Sequence, residues 1–353
     1  MGFLKDKVTI SRVVPRYAVP GGRVTIMGHG LDGRLGNSSD ILLNGVPSHV
    51  TCATNKTLVV IVPDGLSGQV TNMTLGDDNY SIPEFEVAHV LAAGIHAVDS
   101  PVVDRQGNVY TTLSGTRGEK SPVSVFRIKP DGAIDTYVTD IMNATSLAFG
   151  PDEALYVSSR FNGTIYRISA PGDVSVYAEG LGTATGIAFD PKGNLVVGDR
   201  TGTLFVVAPD RTVEPLLNIP PSVAAFHLCF GPDGSLYITN PDISTYDSIL
   251  RVPQGSTEVQ EFYPGIKRPQ GMAFDVNGNL YVAKAMAGDS GVLRISPDGK
   301  ASMIVSGPVL VGVVFDPAGD IIVAGTEMLY RLEVGVHGMP PALTSVISTP
   351  KIK

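Results

Sequence analysis

The chain has little of the charge and cysteine on which several protein classes depend. Of its 353 residues only 17% are charged, and the formal net charge is −8. Nucleic-acid binding needs clustered Lys and Arg that neutralise phosphates, and no basic run is present, so no nucleic-acid partner is expected. The two cysteines, Cys52 and Cys229, lie far apart in the sequence. A disulfide framework is therefore excluded as the basis of the fold, and both are expected to be reduced thiols.

Long apolar runs are also missing. The start of the sequence, MGFLKDKVTISRV, lacks the apolar core of a signal peptide. No later stretch approaches the roughly 20 apolar residues that a membrane helix needs. We therefore expect no membrane span. The cytoplasm is the default location, and the periplasm or the extracellular space stays open if a leader has been removed.

Two common hydrolase motifs are absent as well. The sequence contains no G-x-S-x-G elbow, which would expose a nucleophilic serine, and no H-E-x-x-H pair, which would hold a zinc ion. Five of its six histidines, all except His227, are scattered without metal-ligand spacing. The sequence therefore gives no support to a serine hydrolase or a zinc protease.

What the chain has in abundance is turn residues, with 40 glycines and 26 prolines, together with one repeated phrase. The phrase reads SLAFGPDEALYVSS, GIAFDPKGNLVVGD, HLCFGPDGSLYITN and GMAFDVNGNLYVAK in four of its copies. Each copy is an apolar stretch, a tight turn and an alternating run, which is typical of antiparallel strands. The sequence therefore predicts an all-β protein.

Six copies can be aligned on the turn inside each phrase, with spacings of 40 to 46 residues, at Gly107, Glu153, Gly193, Gly234, Gly278 and Gly319. Each copy has room for four strands, and this period and number predict a six-bladed β-propeller over residues 84–334. The last copy lacks a fourth strand, and the tail 335–353 does not supply one. We predict that residues 84–93 close the ring by pairing within 310–334, which would protect an open edge.

Residues 1–83 have no such period, and their short alternating runs predict about seven strands of a small β-sandwich. The segment PRYAVPGGRVTIMG, followed by LLNGVPSHV and LVVIVP, resembles the IPT/TIG family of immunoglobulin-like domains. The resemblance implies the role that these domains usually have in bacterial proteins, namely a spacer or interaction module. No catalysis is expected of this part.

The repeats resemble the senescence-marker-protein/gluconolactonase family and the related NHL repeats, and RPQGMAFDVNGNLYVAK is the copy nearest to the family pattern. The resemblance implies a divalent metal, held at the central channel by Glu, Asn and Asp just before the first strand of each blade. Oxygen ligands suit Ca²⁺, and Zn²⁺ is the alternative. The matching positions here are Asp99, Thr145, Thr185, Phe226, Gln270 and Val311. Only Asp99 is a carboxylate, so the implied metal site is depleted.

Strand directions bring a second set of polar residues to the same channel mouth. The ends of the second strands supply Ser159, Arg160, Asp199, Arg200, Asn240 and Lys284. With Thr145, Thr185 and Gln270 these are candidate ligand-binding residues, and Arg160 or Arg200 suits a carboxylate.

Two functions stay open. One is a propeller that binds a small polar ligand or a protein partner without a working metal site. The other is a metal-dependent lactone hydrolase, in which Asp99 is the metal ligand and Asp99 and His227 are the catalytic candidates.

Overall fold

The computed structural model describes residues 7–32, 40–243 and 246–340. Within these ranges the chain forms thirty-two β-strands and no α-helix, and therefore no helix that could cross a membrane. Cys52 and Cys229 are both free thiols. The predicted all-β class is confirmed.

The N-terminal strands form an immunoglobulin-like sandwich. Their alternating burial, as in the TLVVI strand, places every second side chain in one core that includes Val24, Leu58 and Phe85. The strands are β1 (Thr9–Val14), β2 (Tyr17–Ala18), β3 (Arg23–His29), β4 (Asp40–Leu43), β5 (Val46–Ala53), β6 (Thr57–Ile61), β7 (Gly68–Leu75) and β8 (Asp78–Val87). The sandwich therefore has eight strands, and β8 extends beyond the predicted boundary at residue 83.

The remaining strands fall into six groups of four, which we number I to VI in chain order. Strand β9 (His89–Ala93) comes first in the chain but belongs to group VI. Groups I to III are β10 (Val102–Val103), β11 (Val109–Thr112), β12 (Val125–Ile128), β13 (Ile134–Val138); β14 (Ala144–Phe149), β15 (Leu155–Ser159), β16 (Thr164–Ala170), β17 (Asp173–Ala178); and β18 (Ala184–Phe189), β19 (Leu195–Asp199), β20 (Thr203–Val207), β21 (Val213–Asn218). Groups IV to VI are β22 (His227–Phe230), β23 (Leu236–Thr239), β24 (Asp247–Val252), β25 (Gln260–Ile266); β26 (Pro269–Phe274), β27 (Leu280–Lys284), β28 (Gly291–Ile295), β29 (Ala301–Ser306); and β30 (Leu310–Phe315), β31 (Ile321–Gly325), β32 (Met328–Leu332) with β9.

Five of these groups are independent four-stranded sheets, whereas group V forms one end of a twelve-stranded sheet shared with the sandwich. The first strands lie side by side in the order β10, β14, β18, β22, β26 and β30, and β30 returns to β10. This arrangement is a β-propeller. Because only five independent sheets are present, the count of six blades stays a prediction here.

The ring is closed by strands from the N-terminal side of the propeller. Strand β9 pairs antiparallel with β32, joining Met328 to Ala93 and Arg331 to His89. Residues 84–87 do not take part in this pairing, because they belong to β8 and pair with β7 and β2. The closing strand is therefore shorter than the predicted segment 84–93, and the domain boundaries themselves stay a prediction.

A two-residue strand joins the sandwich to the propeller. Tyr17 and Ala18 of β2 pair in parallel with β8 on one side and with β29 on the other. The chain then stays against the propeller, where the Val19 N–H donates to the Ser306 carbonyl at 2.8 Å. A methyl group on Gly22 would lie 2.5 Å from that same carbonyl oxygen. The joint therefore requires a residue without a side chain at this position.

We predict that Gly22→Ala lowers the free energy of unfolding by about 1–3 kcal/mol, the usual cost of forcing extra atoms into a packed site. Thermal and urea unfolding followed by circular dichroism measure this change. Gly325→Ala is the matched control, because its added methyl group would meet other atoms at an ordinary 3.5 Å. Equal stability of the two variants would contradict the tight joint.

Candidate functional site

Strand pairing places the two predicted sets of polar residues at one mouth of the propeller channel. In groups II to VI the first residue of the inner strand faces the last residue of the next strand, as Ala184 faces Asp199 and His227 faces Thr239. The connections that follow these second strands therefore lie on the same face as the starts of the inner strands. The structure brings the predicted residues to a common face, although most of them are buried.

Two of them meet across the channel. The Nδ1 atom of His227 and the Oδ1 atom of Asp99 are in hydrogen-bond contact, and both residues are buried. Asp99 precedes β10 and His227 begins β22, which are three strands apart around the ring in either direction. The contact therefore crosses the axis of the propeller and blocks the channel at this level.

Small residues near the axis make this contact possible. The copies that lie between His227 and Asp99 on one side carry Gly271 and Gly312 at the register of His227. A methyl group on Gly312 would lie 2.4 Å from the Cα atom of Ser100, and one on Gly271 would also meet Ser100. The inner strands are therefore too close for side chains at these two positions, and the imidazole of His227 occupies the axis instead.

The contacts of Asp99 show how its carboxylate, the one acidic group in the implied metal site, is already used. Its Oδ1 atom accepts a hydrogen bond from the Ser100 N–H at 2.6 Å in addition to the His227 contact. Phe226 and Val311 in the matching slots offer no ligand atoms. The described residues contain no group of three or more His, Cys, Asp or Glu side chains that could hold a metal ion. The residues present do not fit a divalent cation of the implied kind.

The predicted threonines are used by the fold. Thr145 donates its hydroxyl to the Asn143 carbonyl at 2.9 Å. Thr185 donates to the Gly198 carbonyl at 3.1 Å and accepts from the Phe226 N–H at 3.1 Å. Both residues are buried. The Thr185 hydroxyl joins neighbouring strands, whereas the Thr145 hydroxyl bonds to a carbonyl two residues earlier in its own segment.

The other predicted polar residues also have internal partners. Asp199 accepts the Thr183 N–H at 2.8 Å, and Gln270 donates to the Pro269 carbonyl at 3.0 Å. Lys284 forms an ion pair with Asp289 at 3.0 Å. Asn240 donates to the Pro220 carbonyl at 2.8 Å, but its Oδ1 atom is buried without a hydrogen-bond partner among the described residues.

The arginines form the most unusual part of this face. Burial lowers the pKa of the Arg160 guanidinium, and the positive charges of Arg200 and Arg117 lower it further. Arg160 donates to the Gly115 carbonyl at 2.8 Å, and Arg200 donates to the Val223 carbonyl at 2.9 Å. The Nε atoms of Arg160 and Arg200 are buried and have no partner in the described ranges. The positive charges of Arg200 and Arg117 therefore reach Arg160, and in the described ranges none of the three arginines forms an ion pair with an acidic side chain.

A cleft of about 560 Å³ opens beside Arg160. It lies between the segment that leads into β10, which contributes His96, and the loop after β11, which contributes Ser114. Asn143 fixes this loop by accepting the Gly118 N–H at 2.7 Å and donating to the Thr116 carbonyl at 3.0 Å. The Oγ atom of Ser114 is buried and has no partner among the described residues. Sequence reasoning named neither residue. Ser114 could have been found, because the alignment on Gly107, Glu153 and Gly193 places it at the register of Arg160 and Arg200, whereas His96 lies outside the repeated phrase.

Comparison with known proteins agrees with the two-part architecture. Residues 9–86 match the family model of the IPT/TIG domain. A search of curated proteins found no match. The predicted immunoglobulin-like domain is therefore confirmed for the N-terminal part.

Solved structures match the propeller. One described as a putative gluconolactonase has 19% identity and a TM-score of 0.59 and covers 72% of this chain and 93% of its own. A gluconolactonase from Xanthomonas campestris has 15% identity and a TM-score of 0.57, with coverages of 71% and 89%. An auxiliary nutrient binding protein from Bacteroides thetaiotaomicron has 14% identity and a TM-score of 0.55, with coverages of 94% and 99%. At these identities the likeness shows the fold alone, a propeller with gluconolactonase-like structural neighbours.

We predict that Asp99 and His227 are energetically coupled. In a double-mutant cycle of Asp99→Ala and His227→Ala, urea unfolding should give a coupling energy of at least about 1 kcal/mol, because either single change leaves a buried polar group without its partner. Arg331→Ala combined with His227→Ala is the control and should be additive. Additive effects of Asp99→Ala and His227→Ala would show that the cross-channel contact is absent in solution.

Proposed function

We propose that this protein binds a small anionic ligand of the sugar-acid class at the mouth of the propeller channel. The observation that carries the proposal is Arg160, which lines a cleft at this mouth and which the positive charges of Arg200 and Arg117 reach, without an acidic partner in the described chain. Like charges in proximity destabilise the unliganded site, and a carboxylate between them would relieve the repulsion. Guanidinium groups also bind carboxylates through paired N–H donors, which favours this ligand over a neutral one.

The cleft beside Arg160 gives such a ligand a defined place. Its volume of about 560 Å³ lies within the usual range for small-molecule sites. Ser114 and Arg160 both line this cleft, so a polyhydroxy acid bound there lies against the Arg160 guanidinium. The Asp99–His227 contact closes the channel, so we expect the ligand to lie at the mouth and not to pass through it.

A binding role also agrees with one structural neighbour. The Bacteroides protein described as an auxiliary nutrient binding protein aligns over 94% of this chain, a span longer than the propeller alone. We propose a comparable division of labour here, in which the propeller holds the ligand and the N-terminal IPT/TIG domain is a spacer or contacts a protein partner. Residues 1–83 and 84–334 are the proposed limits of these two parts.

The proposal includes a blade count. We infer that group V is also a blade, which brings the count to six. Its first strand, β26, lies between β22 and β30 in the inner ring, as every other first strand lies between its two neighbours. Its four strands continue into the sandwich sheet through β2, which pairs with β29. The attachment of β2 merges this blade with the sandwich sheet and accounts for the five independent sheets.

We predict that D-gluconate binds and that Arg160→Ala weakens this binding at least about tenfold, since a hydrogen bond to a charged group contributes about 1.5–3 kcal/mol. Isothermal titration calorimetry measures both affinities. Arg105→Ala is the control, because Arg105 forms an exposed ion pair with Glu153 on the opposite face. Neutral sorbitol should not bind. If gluconate does not bind, or binds equally to the Arg160 variant, the proposed site is wrong.

A second function, lactone hydrolysis, is favoured by one specific observation. The Nε2 atom of His227 is buried and has no partner among the described residues, while its Nδ1 atom contacts Asp99. This is the arrangement of a general base oriented by a carboxylate. His227 would take a proton from water as the oxygen adds to the lactone carbonyl, and would return it to the ring oxygen as the C–O bond breaks. No metal is required in this route.

We predict that, if this second function holds, hydrolysis of glucono-δ-lactone by the protein falls about 10²–10⁴-fold in His227→Asn, the range that general-base catalysis usually contributes. The asparagine amide keeps a donor towards Asp99 and removes the Nε2 position. Acid release followed with a pH indicator measures the rate, and EDTA should leave the wild-type rate unchanged. A wild-type rate equal to the spontaneous rate would eliminate lactonase activity while leaving gluconate binding to be judged separately.

A further inference from the structure

A second cleft lies on the opposite face of the propeller, away from the arginines of the channel mouth. Its volume is about 480 Å³, and it lies between groups II and III. Three rings reach it, those of Tyr156, Tyr177 and Phe189, and Lys192 and Arg211 also line it. The turn after β14, the turn after β18 and the turn after β20 form its edges.

The turn that carries Arg211 differs in sequence from the corresponding turns in other copies of the repeat. The corresponding turns read PDG at residues 130–132 and 297–299, whereas this one reads PDR at residues 209–211. The backbone conformation is the same in all three, with φ of 85° at Gly132, 80° at Gly299 and 70° at Arg211. The turn hydrogen bond is also the same, for example 2.8 Å from the Arg211 N–H to the Ala208 carbonyl. Arginine is therefore held in a left-handed conformation that the two PDG turns assign to glycine.

Seven other non-glycine residues of the described chain also have a positive φ, and one of them shows what a side chain can gain from it. Glu153 is a comparable case, with φ of 62° in a turn where the other copies carry glycine, and its carboxylate forms an ion pair with Arg105 at 2.9 Å. Arg211 has no such partner. Its guanidinium lies 5.5 Å from the centroid of the Tyr177 ring, on the wall of the cleft. The chain therefore accepts an unfavourable backbone to place a cation here.

The charges around the cleft leave this cation available. The only acidic side chain that lines it, Asp152, is bound to Arg167 at 2.7 Å. In the described ranges, neither Lys192 nor Arg211 takes part in an ion pair with an acidic side chain. Two cations without an ion-pair partner thus stand at the edge of a cleft whose lining includes three aromatic rings, each less than a tenth exposed. A ligand that complements both features carries a carboxylate and a flat apolar group.

We propose that this cleft is a second binding site, which takes an aromatic carboxylate. The carboxylate lies between Arg211 and Lys192, and the aromatic ring packs against Tyr177 and Phe189. The rings of Tyr156 and Phe189 already meet edge to face at a centroid distance of 4.8 Å, so the aromatic surface is formed before a ligand arrives. This site shares no residue with the channel mouth and does not depend on the function proposed there.

Benzoate is the probe, and ligand-observed NMR titration measures its affinity for the full chain. Arg211→Gly restores the PDG turn, so it should melt at or above the wild-type temperature while its affinity for benzoate falls at least about tenfold. Acetate carries only the carboxylate and phenol carries only the aromatic ring, so each should bind more weakly than benzoate. Arg160→Ala should bind benzoate as the wild type does, and Arg211→Gly should bind gluconate as the wild type does.

Three outcomes would overturn the proposal. Benzoate affinity could be unchanged in Arg211→Gly, which would mean that the guanidinium serves only its contact with Tyr177. A clear fall in the melting temperature of Arg211→Gly would show that the arginine stabilises the fold and that its conformation is not held for a ligand. Equal binding of acetate, phenol and benzoate would show that the cleft does not recognise an aromatic carboxylate.

Discussion

Closure of the ring is the constraint on which the rest of the structure depends. An inner strand can lie beside the axis only if both neighbours are present, and β30 returns to β10 to complete the series. The outer edge of group VI is filled by β9, which comes from residues more than two hundred positions earlier. Pairing of this edge hides backbone groups that would otherwise be open to another strand. Every residue at the channel mouth owes its position to this closure.

The same constraint explains why the axis carries a histidine and a carboxylate. Once the inner strands are packed as closely as Gly271 and Gly312 allow, little room remains at the centre. The Asp99–His227 contact fills it, and the Nδ1 atom of His227 and the Oδ1 atom of Asp99 satisfy each other there, whereas the Nε2 atom of His227 has no partner among the described residues. A metal site of the family's kind would need oxygen ligands from several blades at this level, and Phe226 and Val311 stand in two of those slots. The axis is thus filled by packed side chains. The arginines without an acidic partner in the described chain, Arg160 and Arg200, belong to the channel mouth.

The sandwich is attached by sheet continuity and not by a loose linker. Strand β2 continues the propeller strand β29 into the N-terminal sheet, so the two parts share backbone hydrogen bonds. Shared backbone bonds restrict hinge motion more than side-chain contacts do, because their geometry tolerates little displacement. The IPT/TIG domain therefore holds a fixed relation to group V, and anything that binds the sandwich is placed at a defined distance from the ring.

The sequence by itself determined the all-β class, the repeated four-stranded unit and the immunoglobulin-like start, because alternation and turn residues act locally and repeat with every copy. It also identified Arg160, Arg200 and His227 as residues of one face, since strand direction follows from the meander. It could not show that His227 reaches Asp99, nor that the Thr185 hydroxyl bonds to Gly198 and Phe226, because those contacts join residues distant in the chain. The place of His96 in the cleft and the pairing of β2 with β29 were likewise decided only by the tertiary structure. Local patterns fix which strands form, whereas the distances across an axis depend on how closely all the strands pack around it.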